Sequence, residues 1–504
     1  MAGLPGLDGF EAEQVEREAD GSFSVHVVSA PGTVACCPRC QAEASRVWTR
    51  VGHTVSHLVL VPMRVTWHKR VMACMAEGCE QGRFTEEVPL AARGGRVSLA
   101  ALGLVGHLVG DGLVTVDTAA EWAGVAWHTA HGAFTRLAAE AGIVATDPAA
   151  VTEALAGDEE LAAEAELVDG PGVEDPERAG CAPAAIDPEV LLMPRSVLGP
   201  MPLVRVLGID DQRRGARRFH TDPVSGTWVA DADRWQTVFI DTAGGHGLLG
   251  MVEGRRKAPA VAWILALPER VRAGIKVVTM DLSTTYRAVA REALPHALVC
   301  ADLFHVAQLV NKMVDDVRRR NSHRLRGRRG RARDPEYAVR NLFRWGPRTL
   351  SRRGRRRILD TLSALELVDP QTANEIRIVW TAKNLLLEVF ALALSRTGRA
   401  TCRTEIAHVL FRFFDYVAIL GRDIPELVTL AETIDTWLEE ITKAVLTGVT
   451  NAAAEGVNRI TKLVYRGAFG FRNVTNQQLR ARYVASRAAR PEWRPGVTIH
   501  TLAA

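Results

Sequence analysis

Gly274–Leu294 reads GIKVVTMDLSTTYRAVAREAL. A β-branched apolar run stops at an acid, Asp281, and the residues after it take up helical spacing. The next stretch, HALVCADLFHV (His296–Val306), again runs into an acid, Asp302. Upstream lies the helix-like APAVAWILALPERV, and before it the strand-like PLVRVLGIDD and RWQTVFIDTAGGHGLLGMV. The order strand, hairpin, helix, strand brings Asp210 and Asp281 to the ends of adjacent strands. An α/β core over 201–306 is expected. Asp211 and Asp241 also end strands, and Asp302 is the strongest rival for the second acid. Asp241, in IDTAGG, fits a hairpin turn better.

A chain of 504 residues is too long for one core, so about two to four domains are expected. No apolar run reaches the ~18 residues that a membrane span needs. MAGLPGLDGFEAEQ lacks a basic-then-apolar signal, so a cytoplasmic protein without membrane partners is expected. The net charge of +4 hides a segregation. Asp147 to Glu177 holds many acids and no Lys or Arg, whereas Arg318 to Arg357 is dominated by arginine, with Asp334 and Glu336 its only acids. From about Ala307 to Glu440 nearly everything reads as helix. The expected divisions are a leader (1–35), a cysteine-bearing head (36–94), a helical DNA reader (95–145), an acidic linker (146–200), the first part of the core (201–306), an arginine-rich helical segment (307–440) and a final glutamate helix with a tail (441–504). Together they make a multidomain α+β protein.

In the head, Cys37 and Cys40 form C-x2-C, and Cys74 and Cys79 form C-x4-C. Two thiolate pairs on two turns complete a tetrahedral zinc site, and a reduced compartment favours metal over disulfides. Cys36 can replace Cys37, and His53, His57 and His68 are weaker candidates. Further on, TVDTAAEWAGVAWHTAHGAFTRLA has the pattern of a helix-turn-helix. Ala120 is small where helices touch, Gly124 permits the turn, and Val125 plugs the core. Trp127, His128, Thr129 and His131 would face a DNA groove.

The stretch TNAAAEGVNRI (Thr450–Ile460) reads as helix, yet Gly456 follows Glu455. A glycine costs a helix interior about 1 kcal/mol against alanine, which suggests that something approaches this carboxylate. The blocks VLGIDD, VVTMDLSTTY, CADLFHV and TNAAAEGVNRITKLVYRGAFGFRN, behind a cysteine ribbon with RFTEE and a helix-turn-helix, resemble the ISL-three family of bacterial insertion-sequence transposases from about Cys36 to Arg482. The family's usual Ser-Asn-Gly before the glutamate is here Thr450-Asn451-Ala452. The resemblance implies a ribonuclease-H-like core with a large all-helical insertion, and a DDE triad of Asp210, Asp281 and Glu455 that holds two Mg2+ (or Mn2+) ions. It implies supporting roles for Asp302, His305, Gly456 and Asn458, and places Lys462 in the glutamate block beside DNA. Metal and DNA backbone would then approach Glu455, with Gly456 leaving them room.

The function implied is binding of terminal inverted repeats, metal-dependent phosphodiester hydrolysis and strand transfer, by a homo-oligomer on double-stranded transposon ends and target DNA. The arginine segment, including Arg326, Arg328, Arg329 and Arg331, would track the phosphates. A non-catalytic DNA-binding regulator derived from a transposase is the alternative. A structure-specific nuclease with the same core is a third reading.

Overall fold

A computed structural model describes residues 7–144 and 201–486, apart from 59–61, 89, 93, 215–218, 231–233, 244 and 472. The expected acidic linker and the tail beyond residue 486 lie outside the described residues. The chain divides into two compact units, Met1–Val144 with Leu463–Val484, and Ala145–Lys462 with Ala485–Ala504.

The first unit begins with β1 (Phe10–Arg17), β2 (Phe23–Ser29), β3 (Ala35–Cys36), β4 (Glu43–Ala44), β5 (Arg46–Leu58), β6 (Pro62–Ala73) and β7 (Arg83–Thr85). One sheet runs β1-β2-β6-β5, with β7 on the far half of β6. The expected leader is therefore corrected: residues 10–29 supply two strands of the head. Alternation explains this. Val25 and Val27 point inward and bury against Val55, Val65 and Trp67, with β2 parallel to β6. Next come α1 (Leu99–Gly110), α2 (Val116–Ala123) and α3 (Trp127–Glu140). Thr115 caps α2 through its hydroxyl, and Gly124 ends it at φ 61°, a left-handed conformation that suits glycine.

A helix expected to belong with the tail, Val474–Ser486, contributes most of its length to this same unit. The Arg480 guanidinium donates to the carbonyls of Val109 (2.9 Å) and Val114 (2.7 Å), closing orphan acceptors at the end of α1. The ring of Tyr483 lies against Gly110, where an added Cβ would stand 2.6 Å from it.

The second unit is built on β8 (Val206–Arg213), the small hairpin β9 (Phe219–Thr221) and β10 (Trp228–Ala230), β11 (Trp235–Asp241) and β12 (Gly247–Glu253). Then follow α4 (Lys257–Leu265), α5 (Glu269–Gly274), β13 (Val277–Met280), α6 (Thr284–Ala293), β14 (Leu298–Ala301) and α7 (Leu303–Arg326). Its main sheet has the order β12-β11-β8-β13-β14. The first three strands are antiparallel neighbours, and β8, β13 and β14 run parallel. Leu207, Ile209, Phe239, Val278 and Met280 are fully buried. Trp263 of α4 stacks on Phe239 at 4.0 Å and fills the space over Gly250, where a Cβ would meet it at 2.3 Å. Helices continue from Leu303 to Thr447, a few residues wider than expected at each end, because Asp302 already caps α7.

Candidate functional site

The parallel register sets Met280 beside Ile209, so Asp281 leaves its strand next to Asp210. Asp210 does not end β8 as expected; the strand runs on to Arg213 against β11. The helix Ala452–Gly467 carries Glu455 and, one turn later, Asn458. All four line one cleft of about 950 Å³, together with Asp302 and His305. Asn458 Nδ2 donates to Asp210 Oδ2 at 2.6 Å, tying that helix to β8. The Glu455 carboxylate, half exposed, accepts from Arg459 at 2.6 Å. Lys462 lines the same cleft. Gly456 does not, and an added Cβ there would meet nothing within 4 Å. Among the described residues nothing fills the space that its missing side chain leaves.

His305 joins two acids. Its Nδ1 lies 2.8 Å from Asp281 Oδ1 and 2.7 Å from Asp302 Oδ2. The carboxylate of Asp281, close enough for an ion pair, and that of Asp302, hydrogen-bonded to Nδ1, lift the imidazole to about 10, so it is a cation at neutral pH. Asp302 is buried, and its Oδ1 also accepts from the Phe304 amide as the N-cap of α7. Burial, then the neighbouring Asp281, push the Asp210 carboxyl up to about 7. Two oxygen acids held this close ask for positive charge between them. The buried side-chain oxygens of Asn451 and Asn458 reach no hydrogen-bond partner among the described residues. An oxygen-rich, cation-seeking cleft of this kind fits a hard divalent ion.

Of the rival acids, Asp241 accepts from the amides of Ala243 and His246, both at 3.2 Å, and so serves its turn. Asp211 accepts from the Tyr286 hydroxyl at 3.3 Å. The sequence reading missed Asn451, Trp235, Arg396 and Arg459 at the cleft. No local pattern marks them; Arg459, at i+4 from Glu455, is the one that helical spacing offers.

In the first unit, Cys37 and Cys40 sit on the β3–β4 turn, and Cys74 and Cys79 on the β6–β7 turn. The Sγ atoms lie 3.8 Å apart for Cys37–Cys79 and 3.6 Å for Cys40–Cys74, and all four fall within 4.8 Å of one another. Metal–sulfur bonds of ~2.3 Å in a tetrahedron require edges of about 3.8 Å. These four thiols can hold one metal ion. Cys36 lies outside the cluster. The histidines are engaged elsewhere: His53 with the Gly95 carbonyl, His57 with Ser98, and His68 with His26.

On the helix-turn-helix, Ala119, Ala120, Ala130 and Phe134 form the buried face. Trp127 and His128 are exposed and Thr129 is half-buried. His131, expected at the groove, is instead half-buried; it stacks on Trp127 at 4.9 Å and bonds to Asn476. Among the arginines, Arg326 makes a bidentate pair with Glu336 (2.8 and 2.9 Å), and Arg328 one with Asp334 (2.7 and 3.0 Å). Arg329 and Arg331 are exposed, as are Arg352, Arg353, Arg355, Arg356 and Arg357. Among the described residues no helix is long and apolar enough to cross a membrane.

Residues 228–481 match a family model described as Transposase, and residues 86–138 match the helix-turn-helix domain of transposase family ISL3. Asp281, Asp302, His305 and Glu455 fall within the first match, and Asp210 lies upstream of it. A curated relative, the transposase for insertion sequence element IS1001 of Bordetella parapertussis, is 26% identical over 242 residues, which is 48% of this chain and 54% of that protein. The chain thus spans about half the length of that relative. A solved structure, the Drosophila P element transposase strand transfer complex, matches over 57% of this chain and 77% of that one, with 11% identity and a TM-score of 0.29, too low to bear on fold or activity. With just over half of its length in the transposase model and its reader helices in the ISL3 model, the chain belongs to the ISL3 family of transposases.

Proposed function

We propose that this chain is a DDE transposase that binds the terminal inverted repeats of an insertion sequence, hydrolyses the phosphodiester at each end and joins the ends to target DNA. The observation that carries this is that Asp210, Asp281 and Glu455 line one cleft, from two adjacent strands and a distant helix. The sheet order, three antiparallel strands followed by two parallel ones, supports a ribonuclease-H-like core with the helices from Leu303 to Thr447 inserted before the glutamate. Asp210, Asp281 and Glu455 would hold two Mg2+ or Mn2+ ions. Bound there, such a pair activates the attacking hydroxyl and stabilises the leaving oxygen. Asn458 holds Asp210 in place, and His305, fixed by Asp302, holds Asp281. The Glu455–Arg459 pair is exposed and worth little, about 0–1 kcal/mol, so the glutamate is readily given up to a stronger cation. The four head thiols would hold structural Zn2+. Work on two paired ends calls for a homo-oligomer at the nucleoid.

An intact acid cleft favours an enzyme over a regulator. A plasmid excision assay with cognate ends tests this: excision and reinsertion are expected. End binding without any strand breakage would favour the regulator, and cutting without joining would favour a nuclease.

The two DNA-facing surfaces divide the labour. Changes at Trp127, His128 or Thr129 alter which ends are chosen, because base contacts specify. Arg331→Gln with Arg356→Gln weakens binding to all DNA and lowers the salt slope by about two, since each phosphate contact contributes about 0.9. Arg326 and Arg328 suit this test less well, because their removal would leave Glu336 and Asp334 buried and unpaired. Competition binding at two salt concentrations checks both statements. A loss confined to cognate DNA in the arginine variant would contradict the second.

A further inference from the structure

Separate hollows follow one another along α7 from the acid cleft. Gln308 lines both the cleft and a second hollow of about 340 Å³, walled by Asn311, Lys312, Asp315, Arg319 and Arg344. Asp315, Arg319 and Arg344 in turn wall a third hollow of about 200 Å³, completed by Arg318, Arg329, Tyr337, Arg340 and Asn341. His305, Gln308, Lys312, Asp315 and Arg319 recur every three or four residues, along one helix face. From residue 305 to residue 319 the rise is about 21 Å.

The third hollow is unbalanced in charge. Five guanidiniums, those of Arg318, Arg319, Arg329, Arg340 and Arg344, line it against one carboxylate, Asp315. Asp315 pairs with Arg344, with Arg318 at 3.2 Å and with Arg319 at 4.0 Å. Asp316 nearby takes Lys312 at 2.7 Å and Arg319 at 3.5 Å. Arg340 lies over the Tyr337 ring at 4.0 Å and Arg318 over it at 5.7 Å. Arg318 is only 3% exposed, yet its Nε reaches no acceptor among the described residues. In the second hollow the buried Asn311 Oδ1 is likewise without a partner. Arg326 and Arg328 follow on the same stretch, and each has its own acid. The hollow has five arginines and one acid, and guanidiniums gathered in a partly desolvated space repel one another until an anion joins them. A planar fork of donors matches phosphate.

We propose that the hollow lined by Arg318, Arg319, Arg329, Arg340 and Arg344 seats one backbone phosphate of bound DNA, about 20 Å along α7 from the acid cleft. The row of hollows along α7 favours a backbone phosphate over a free one, because a strand held in the cleft can run on along that helix face. The proposal rests on the transposase reading of the cleft.

The test uses the full chain with divalent ions chelated. Arginines are labelled with a dicarbonyl reagent and read by peptide mass, with and without duplex DNA or inorganic phosphate. Duplex DNA is expected to protect Arg319, Arg329 and Arg344 together, over the concentration range in which it binds. Arg319→Gln with Arg329→Gln, at two accessible positions, should weaken duplex binding about tenfold and lower the salt slope by about one. Arg399→Gln, whose partner is the exposed Glu405, should change neither. Unchanged labelling in a chain that binds DNA overturns the clamp, as does protection by inorganic phosphate but not by DNA. Cleavage of end DNA is read in a separate reaction of the same protein with Mg2+ restored. Cleavage with the arginines still labelled leaves the transposase reading standing and removes the clamp; protection without cleavage does the reverse.

Discussion

Replacing Glu455 by glutamine is expected to abolish cleavage of end DNA and to leave end binding at its wild-type level. The amide keeps the shape of the side chain and removes the charge that two divalent cations need. Its partner, Arg459, lies on the surface, so the fold loses about 1 kcal/mol at most. The rate should fall about a thousandfold or more, several kcal/mol of transition-state stabilisation. Asp210→Asn and Asp281→Asn should behave alike. Asp302→Asn is the control. Asparagine still caps α7 through its side-chain oxygen, so the helix start survives. What is lost is one of the two charges on His305, which keeps Asp281. A loss milder than that of Asp281→Asn, about tenfold or about 1.4 kcal/mol in the barrier, is expected. The measurement is cleavage of labelled end DNA with Mg2+ or Mn2+, beside a gel shift without metal. Near-normal cleavage by the Glu455→Gln protein would refute the assignment. A dead Asp302→Asn beside an active Asp281→Asn would move the second acid to Asp302.

If the four head thiols hold zinc as proposed, removing it is expected to unfold the two knuckles. Around the thiols, the buried apolar groups are only Ala35, Cys37, Met72 and Phe84. Fully burying a large apolar side chain contributes about 1.5–3 kcal/mol, too little to order both loops alone. A structural zinc contributes about 10–16 kcal/mol in small metal-folded domains. The purified chain should therefore carry about one zinc. Cys37→Ser with Cys40→Ser should lose it and expose 36–44 and 74–83 to protease. Cleavage chemistry does not use this ion, so a pre-formed complex on end DNA should still cut. Metal-free protein with loops as resistant as the wild type would rule the site out.

Much of this was legible in local pattern. Continuous apolar, β-branched runs marked β8, β11 and β13, and an acid at or near the end of a run marked Asp210, Asp281 and Asp302. Glycine at the turn and small residues at the contact marked α2 and α3. Two close cysteine pairs marked the four-thiol cluster before any strand was paired. Each of these signals is carried by side chains within a few residues of one another, and backbone periodicity makes such spacing readable.

Tertiary structure alone decided the rest, because it concerns partners far apart in the chain. The first strands looked like a leader until β2 paired with β6. The helix after Leu463 looked like a tail until Arg480 reached carbonyls more than 360 residues earlier. The arginine segment read as uniformly basic. The fold instead gives Arg326 and Arg328 their own acids and gathers Arg318, Arg319, Arg329, Arg340 and Arg344 around a single one. Composition fixes how many charges a segment has, but only packing fixes which are neutralised, since Coulomb energy depends on separation and on the water left between the groups.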